Sequence, residues 1–153
     1  MQLNEKLLET LSDLVRINQD RVEGYKKATE LTEDIDLKAL FQRMSDESRA
    51  YIDQLNNVLL ENGGDVAQGS SILGKIYRTW MDVKATFSGH DRQSILSSCE
   101  YAEDAAQRTY EEVLRSSIPM PYSIRELVAN QKSALRSSHD TVKTYRDLEK
   151  IPH

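Results

Sequence analysis

Glu103, His139 and Glu47 are the residues of this chain whose types suit metal chemistry inside a helical core. A di-metal site in a four-helix bundle takes one Glu from each of two helices and a Glu-x-x-His pair from each of the other two. The carboxylates offset two divalent cations that have lost their water, and the imidazoles complete the coordination. Measured against that requirement, the inward positions here are poor in charge. The first two helices offer Asn18 and Ser48-x-x-Tyr51, the third offers Glu103, and the fourth offers His139 with Arg136 three residues before it. The metal candidates reduce to Glu103 and His139, with Glu47 added only by rotation of its helix. A di-iron centre within one chain is not expected. No cofactor is required by the residues; iron or another divalent metal is the ion that such a remnant would take. Glu103 otherwise pairs with Arg21, with His139 or with a tyrosine hydroxyl. Glu100 points further out, as a surface acid or a partner of the connection between the two halves. No phosphate-binding Gly loop, zinc-type Cys/His spacing or nucleophile elbow occurs, so no catalytic residue is identified and the reading leans away from an enzyme.

The candidates belong to a wider polar layer. Aligning four long periodic segments by their midpoints puts Asn18, Ser48, Glu103 and Leu135 at one height. Gln131 and His139 fall one turn to either side, and Arg21, Tyr25 and Tyr51 lie within two turns. An unpaired buried polar group costs about 1–3 kcal/mol in proteins. A cluster of them on inner faces is therefore expected to form one connected network.

The elements that position this layer are legible as four helices. Leu7, Leu11, Leu14, Asn18, Val22 and Tyr25 share a face at about 100° per residue, on a helix from Asn4 to Leu31. Leu37, Phe41, Met44, Ser48, Tyr51, Leu55 and Leu59 do the same on a second, capped by Asp34 or Asp36 and closed by Asn62-Gly63-Gly64. A third runs from Asp91 to about Ser117 with Ile95, Cys99, Ala102, Ala106, Thr109 or Tyr110, and Val113 inward. Ile118-Pro119-Met120-Pro121 stops it. The fourth opens on Ser123 and Glu126, a capping box, and turns Ile124, Val128, Gln131, Leu135, Ser138 with His139, Val142 and Tyr145 inward. Each helix is about 27 residues, ~40 Å at 1.5 Å per residue. Short turns make the partners in each half antiparallel. The link between the halves, centred on Gly69 to Gly89, is long enough to climb the bundle and start the third helix at the opposite end. Within it Ile72, Leu73, Ile76, Trp80, Val83 and Phe87 form an amphipathic stripe, read as a short helix that buries Trp80. The predicted fold is all-α: a ferritin-like four-helix bundle with a long crossover carrying a short helix, one domain over residues 1–153.

Composition agrees. Apolar residues make up 39% and charged residues 29%, ordinary for a soluble protein, and the net charge is −5. The acidic balance argues against nucleic acid or an anionic membrane as partner. No stretch reaches the ~18 apolar residues of a membrane span. The first residues, MQLNEKLLETLSDL, carry acids and lack the apolar region of a signal peptide. The single cysteine, Cys99, excludes an internal disulfide framework and suits the cytoplasm.

Several stretches carry a family likeness: EGYKKA (Glu23 to Ala28), LFQRMSDESRAY (Leu40 to Tyr51), GSSILGKIYRTWMDVK (Gly69 to Lys84), Gly89-His90-Asp91, SCEYAEDAAQRTYEEVL (Ser98 to Leu114) and HDTVKTYRD (His139 to Asp147). The chain resembles a bacterial four-helix-bundle family of unknown function, assigned to the ferritin-like superfamily. The most specific parts are Arg78-x-Trp80-Met81-Asp82-x-Lys84 and the Glu100-x-x-Glu103 pair. A histidine commonly precedes the crossover arginine in that family; Tyr77 stands there in this chain. The resemblance implies the fold and no activity. Two functions stay open: a non-catalytic structural or interaction protein with a degenerate metal site, or a metal-binding (iron) or oxidative-stress protein whose site is incomplete or shared between subunits. The partners implied are another protein or a second copy of the chain.

Overall fold

Two helical hairpins, packed side by side, make up the structure, a computed structural model that describes residues 4–66 and 92–148. Its helices are α1 (Glu5–Leu31), α2 (Ile35–Glu61), α3 (Arg92–Arg115) and α4 (Tyr122–Leu148), and the described residues contain no strand. The stripe from Ile72 to Phe87, with Trp80, lies outside the described residues.

Local chemistry sets most of the ends. Asn4 Oδ1 accepts from the backbone N–H of Lys6 at 2.7 Å, which satisfies one orphan donor at the start of α1. Thr32 turns to extended backbone and ends α1. Asp34 occupies the cap position of α2, but its side chain makes no cap bond; Oδ2 accepts from Arg92 Nη1 at 3.0 Å instead. Gly63 closes α2 with φ of 82°, a conformation that suits glycine. Gly64 N–H then donates to Leu59 O at 2.8 Å, and a Cβ at Gly64 would lie 3.2 Å from that same oxygen.

The start of α4 differs from the expectation. The helix begins at Tyr122, and the carbonyl of Pro121 accepts from Ile124 and Arg125 at 3.1 and 3.0 Å. Pro121 therefore stands where the cap was placed at Ser123, and Ser123 sits exposed inside the first turn. A residue in the first turn has helical backbone and cannot act as the cap.

Apolar burial follows the predicted faces. Leu7, Leu11, Leu14, Leu37, Phe41, Leu55, Cys99, Ala102, Val128, Leu135 and Val142 are fully buried. The buried arc is wider than a single seam, taking in Val15, Ile17, Leu40, Leu96 and Ala105, because each helix packs on two others. Within each hairpin the backbones approach closely. Between hairpins, α1 faces α3 and α2 faces α4 at a greater spacing.

One ion-pair cluster fixes the chain direction. Arg92, at the start of α3, donates to Asp34 Oδ2 and bidentately to Asp36 at 2.9 and 2.6 Å, at the start of α2. α2 and α3 thus run parallel. The ends that residues 62–91 must join lie at opposite ends of the bundle, a helix length of ~40 Å apart. No helix among the described residues is long and apolar enough to cross a membrane.

Candidate functional site

Asn18, one turn before Arg21 on the inner face of α1, is the first junction of the core layer. Its Nδ2 donates to Leu14 O and to Tyr110 Oη, both at 2.8 Å, and its Oδ1 accepts from Ser48 Oγ at 2.9 Å. The Tyr110 hydroxyl donates to Gln131 Oε1 at 2.8 Å. Gln131 Nε2 in turn donates to Gln54 Oε1 at 3.0 Å, with the Tyr51 carbonyl more distant at 3.5 Å. This chain of donors crosses from α1 to α3 to α4 to α2.

Arg21 forms the second junction, and it is completely buried. Its Nε and Nη2 donate to Glu103 Oε1 at 3.0 and 2.7 Å, and its Nη1 donates to Ser48 Oγ at 2.5 Å and to Glu47 Oε1 at 3.3 Å. The Tyr25 hydroxyl adds a 2.5 Å hydrogen bond to the same Glu103 oxygen. The guanidinium also lies 5.4 Å from the Tyr25 ring centroid. Glu47 leads outward, to Ser138 Oγ at 2.9 Å. Ser48 belongs to both junctions, so the layer is one network that ties all four helices.

The electrostatics suit a locked network more than a reactive one. Burial opposes the charge on Arg21, but Glu103, with Tyr25 and Glu47, outweighs it and holds the guanidinium protonated. Burial raises Tyr25 and Tyr110 well above the ordinary phenol value, and the Glu103 carboxylate adds to the effect on Tyr25. Tyr51, half-buried beside Glu47, is pushed up to about 12 by burial first and that carboxylate second. Burial and Glu103 likewise raise the Cys99 thiol, so it stays protonated and unreactive. Glu103 Oε1 takes three donors, while its buried Oε2 has none.

The expected ligand set does not assemble. Glu103 and Glu47 turn toward Arg21, whereas His139 stands on the flank between α3 and α4, with Nε2 2.6 Å from Asp104 Oδ1 and Nδ1 3.1 Å from Asp140 Oδ1. The cause is helical rotation. Adjacent residues point about 100° apart, so Glu103 faces the core and Asp104 the flank, and Ser138 faces Glu47 while His139 faces Asp104. Glu47, Glu103 and His139 are thus not gathered around one point among the described residues. The Glu100–Glu103 pair is split in the same way, with Glu100 ion-paired to Arg146. Sequence reasoning left Tyr110 undecided against Thr109 and gave Gln54 no part in the layer. No signal in the sequence singled out Tyr110, which lies about two turns from the level assigned to Asn18 and Glu103.

Residues 6–116 match a domain of unknown function, DUF2383. The chain belongs to that family. The match takes in α1, α2 and α3, with Arg21, Glu47, Ser48, Glu103 and Tyr110, and stops before α4. No curated protein matches the chain.

Proposed function

We propose that this chain is a ferritin-like bundle that works as a non-catalytic structural or interaction protein, with Arg21 standing where a core metal site has degenerated. The observation that carries this reading is the buried Arg21 guanidinium between the Glu103 and Glu47 carboxylates. A core carboxylate must be offset by positive charge. In a metal-binding bundle the ions supply it. Here a side chain of the same chain supplies it, held by hydrogen bonds to groups that would otherwise be free to turn toward an ion. The parallel α2 and α3, which require a long return between hairpins, support the ferritin-like connectivity. The family lends no activity to weigh against this reading.

Anaerobic Fe(II) addition followed by oxygen tests it. The chain should oxidise Fe(II) no faster than buffer does, and Glu103→Gln should change nothing in that rate. Rapid turnover of Fe(II) that Glu103→Gln abolishes would establish the alternative, an iron-handling or oxidative-stress protein.

A further inference from the structure

The flank between α3 and α4 carries a second group of ionisable side chains, away from Arg21. Glu100 and Asp104 are one helical turn apart on α3 and face His139 on α4. One ligand atom from each lies within 4.8 Å of the others. We propose that Glu100, Asp104 and His139 bind a single divalent transition-metal ion of the Zn2+ type, with water in the remaining positions.

Three observations carry the assignment. The first is the orientation of His139. Its Nδ1 lies 3.1 Å from Asp140 Oδ1. An imidazole that donates Nδ1–H to a carboxylate presents its Nε2 lone pair as a ligand, the arrangement usual for metal-bound histidine. The second is the relation of Nε2 to Asp104. Oδ1 is only 2.6 Å away, close enough for an ion pair, yet Nε2 is buried and makes no hydrogen bond of acceptable geometry. The oxygen therefore lies to the side of the Nε2 axis. Two ligands of one ion stand in that relation, since the ion occupies the axis and its neighbouring ligand lies off it. Ligand bonds of about 2.0–2.2 Å to Zn2+ ask for a small opening of this pair and a small closing of Glu100.

The third is charge. Glu100, Asp104, Asp140 and Asp147 are negative, and Arg146 and Arg136 pair with members of this group. With His139 neutral, the six side chains sum to two negative charges, which one divalent ion cancels. Arg146 holds Oε2 of Glu100, so an ion would share that carboxylate with the guanidinium. The imidazole favours a borderline transition metal over Mg2+ or Ca2+, which select oxygen ligands. This proposal is independent of the reading of the core.

The test uses the full chain without an affinity tag, stripped with chelator and dialysed. Zn2+ is titrated by calorimetry, and Co2+ is followed by its visible absorption. One ion per chain is expected. Its affinity should fall at least about tenfold in His139→Gln and Asp104→Asn, and by about tenfold in Asp140→Asn, which removes the carboxylate that orients the ring. Glu47→Gln, on the edge of the core network, should bind as the parent chain does. Circular dichroism checks that each variant is folded. The absence of saturable Zn2+ binding by the parent chain would overturn the proposal, whatever the variants do. So would binding that survives His139→Gln, since His90 and His153 lie outside the described residues, or binding lost only in Glu47→Gln.

Discussion

Arg21 Nη2 lies 2.7 Å from Glu103 Oε1, and neither side chain has any exposed surface. The pair bridges α1 and α3, which belong to different hairpins and whose backbones approach less closely than those within a hairpin. A buried charge that loses its partner is worse off than a buried apolar residue, and the loss costs about 3–5 kcal/mol. Arg21→Met and Glu103→Leu should each destabilise by about that amount in urea unfolding. The double variant should cost clearly less than the two together, because no fully buried charge is left unpaired; Glu47, which also loses Arg21, is partly exposed. Simple additivity across the cycle would show that the two residues contribute separately.

Tyr110 is the relay between Asn18 and Gln131. Tyr110→Phe keeps the ring and removes the hydroxyl, leaving one buried N–H of the Asn18 amide and the Gln131 Oε1 acceptor without their shared partner. The expected cost is about 1–3 kcal/mol, with helical content unchanged. A variant as stable as the parent chain would show that the relay carries no net stability.

Alkaline pH should unfold this protein. Burial raises Tyr25 and Tyr110, and Tyr51 is pushed up to about 12. In the unfolded chain a phenol loses its proton near pH 10. Above that value the folded state holds more protons than the unfolded state, so stability falls as pH rises and is fully lost for each group once its folded value is passed. Part of the phenolate absorbance should therefore appear only with the loss of helical circular dichroism. Complete ionisation of all tyrosines with the helices intact would contradict the burial of these hydroxyls.

The Arg92 cluster should matter little in magnitude and be sensitive to conditions. The Arg92 hydrogen bond holds Asp36 below the usual aspartate value, with burial acting against it. Its contribution is present above pH ~4 and disappears as pH falls through the lowered value. Asp36 is half-exposed, so solvent screening limits the effect of Arg92→Ala to about 1 kcal/mol or less. Adding salt should shrink the difference between variant and parent. A larger loss, unaffected by salt, would mean that Arg92 also holds the ends of α2 and α3 by packing.

Much of the fold was readable along the chain because helix periodicity is local. Leu7, Leu11 and Leu14, or Leu37, Phe41 and Met44, declare an inner face without reference to any other helix, and Asn4, Gly63 and Pro121 act on backbone within a few residues. The composition of the polar layer was readable for the same reason, since Asn18, Ser48 and Gln131 interrupt apolar stripes. What the sequence left open were choices between adjacent residues: Ser138 or His139, Thr109 or Tyr110. Each pair is separated by about 100° of rotation, less than the width of a buried arc that faces two neighbours, so periodicity alone admits both members. Only the packed helices decided, because pairing requires a donor and an acceptor about 3 Å apart. That distance depends on the rotation and register of two helices far apart in sequence. Arg21 seated against Glu103, and His139 turned away from both toward Asp104, are products of that register.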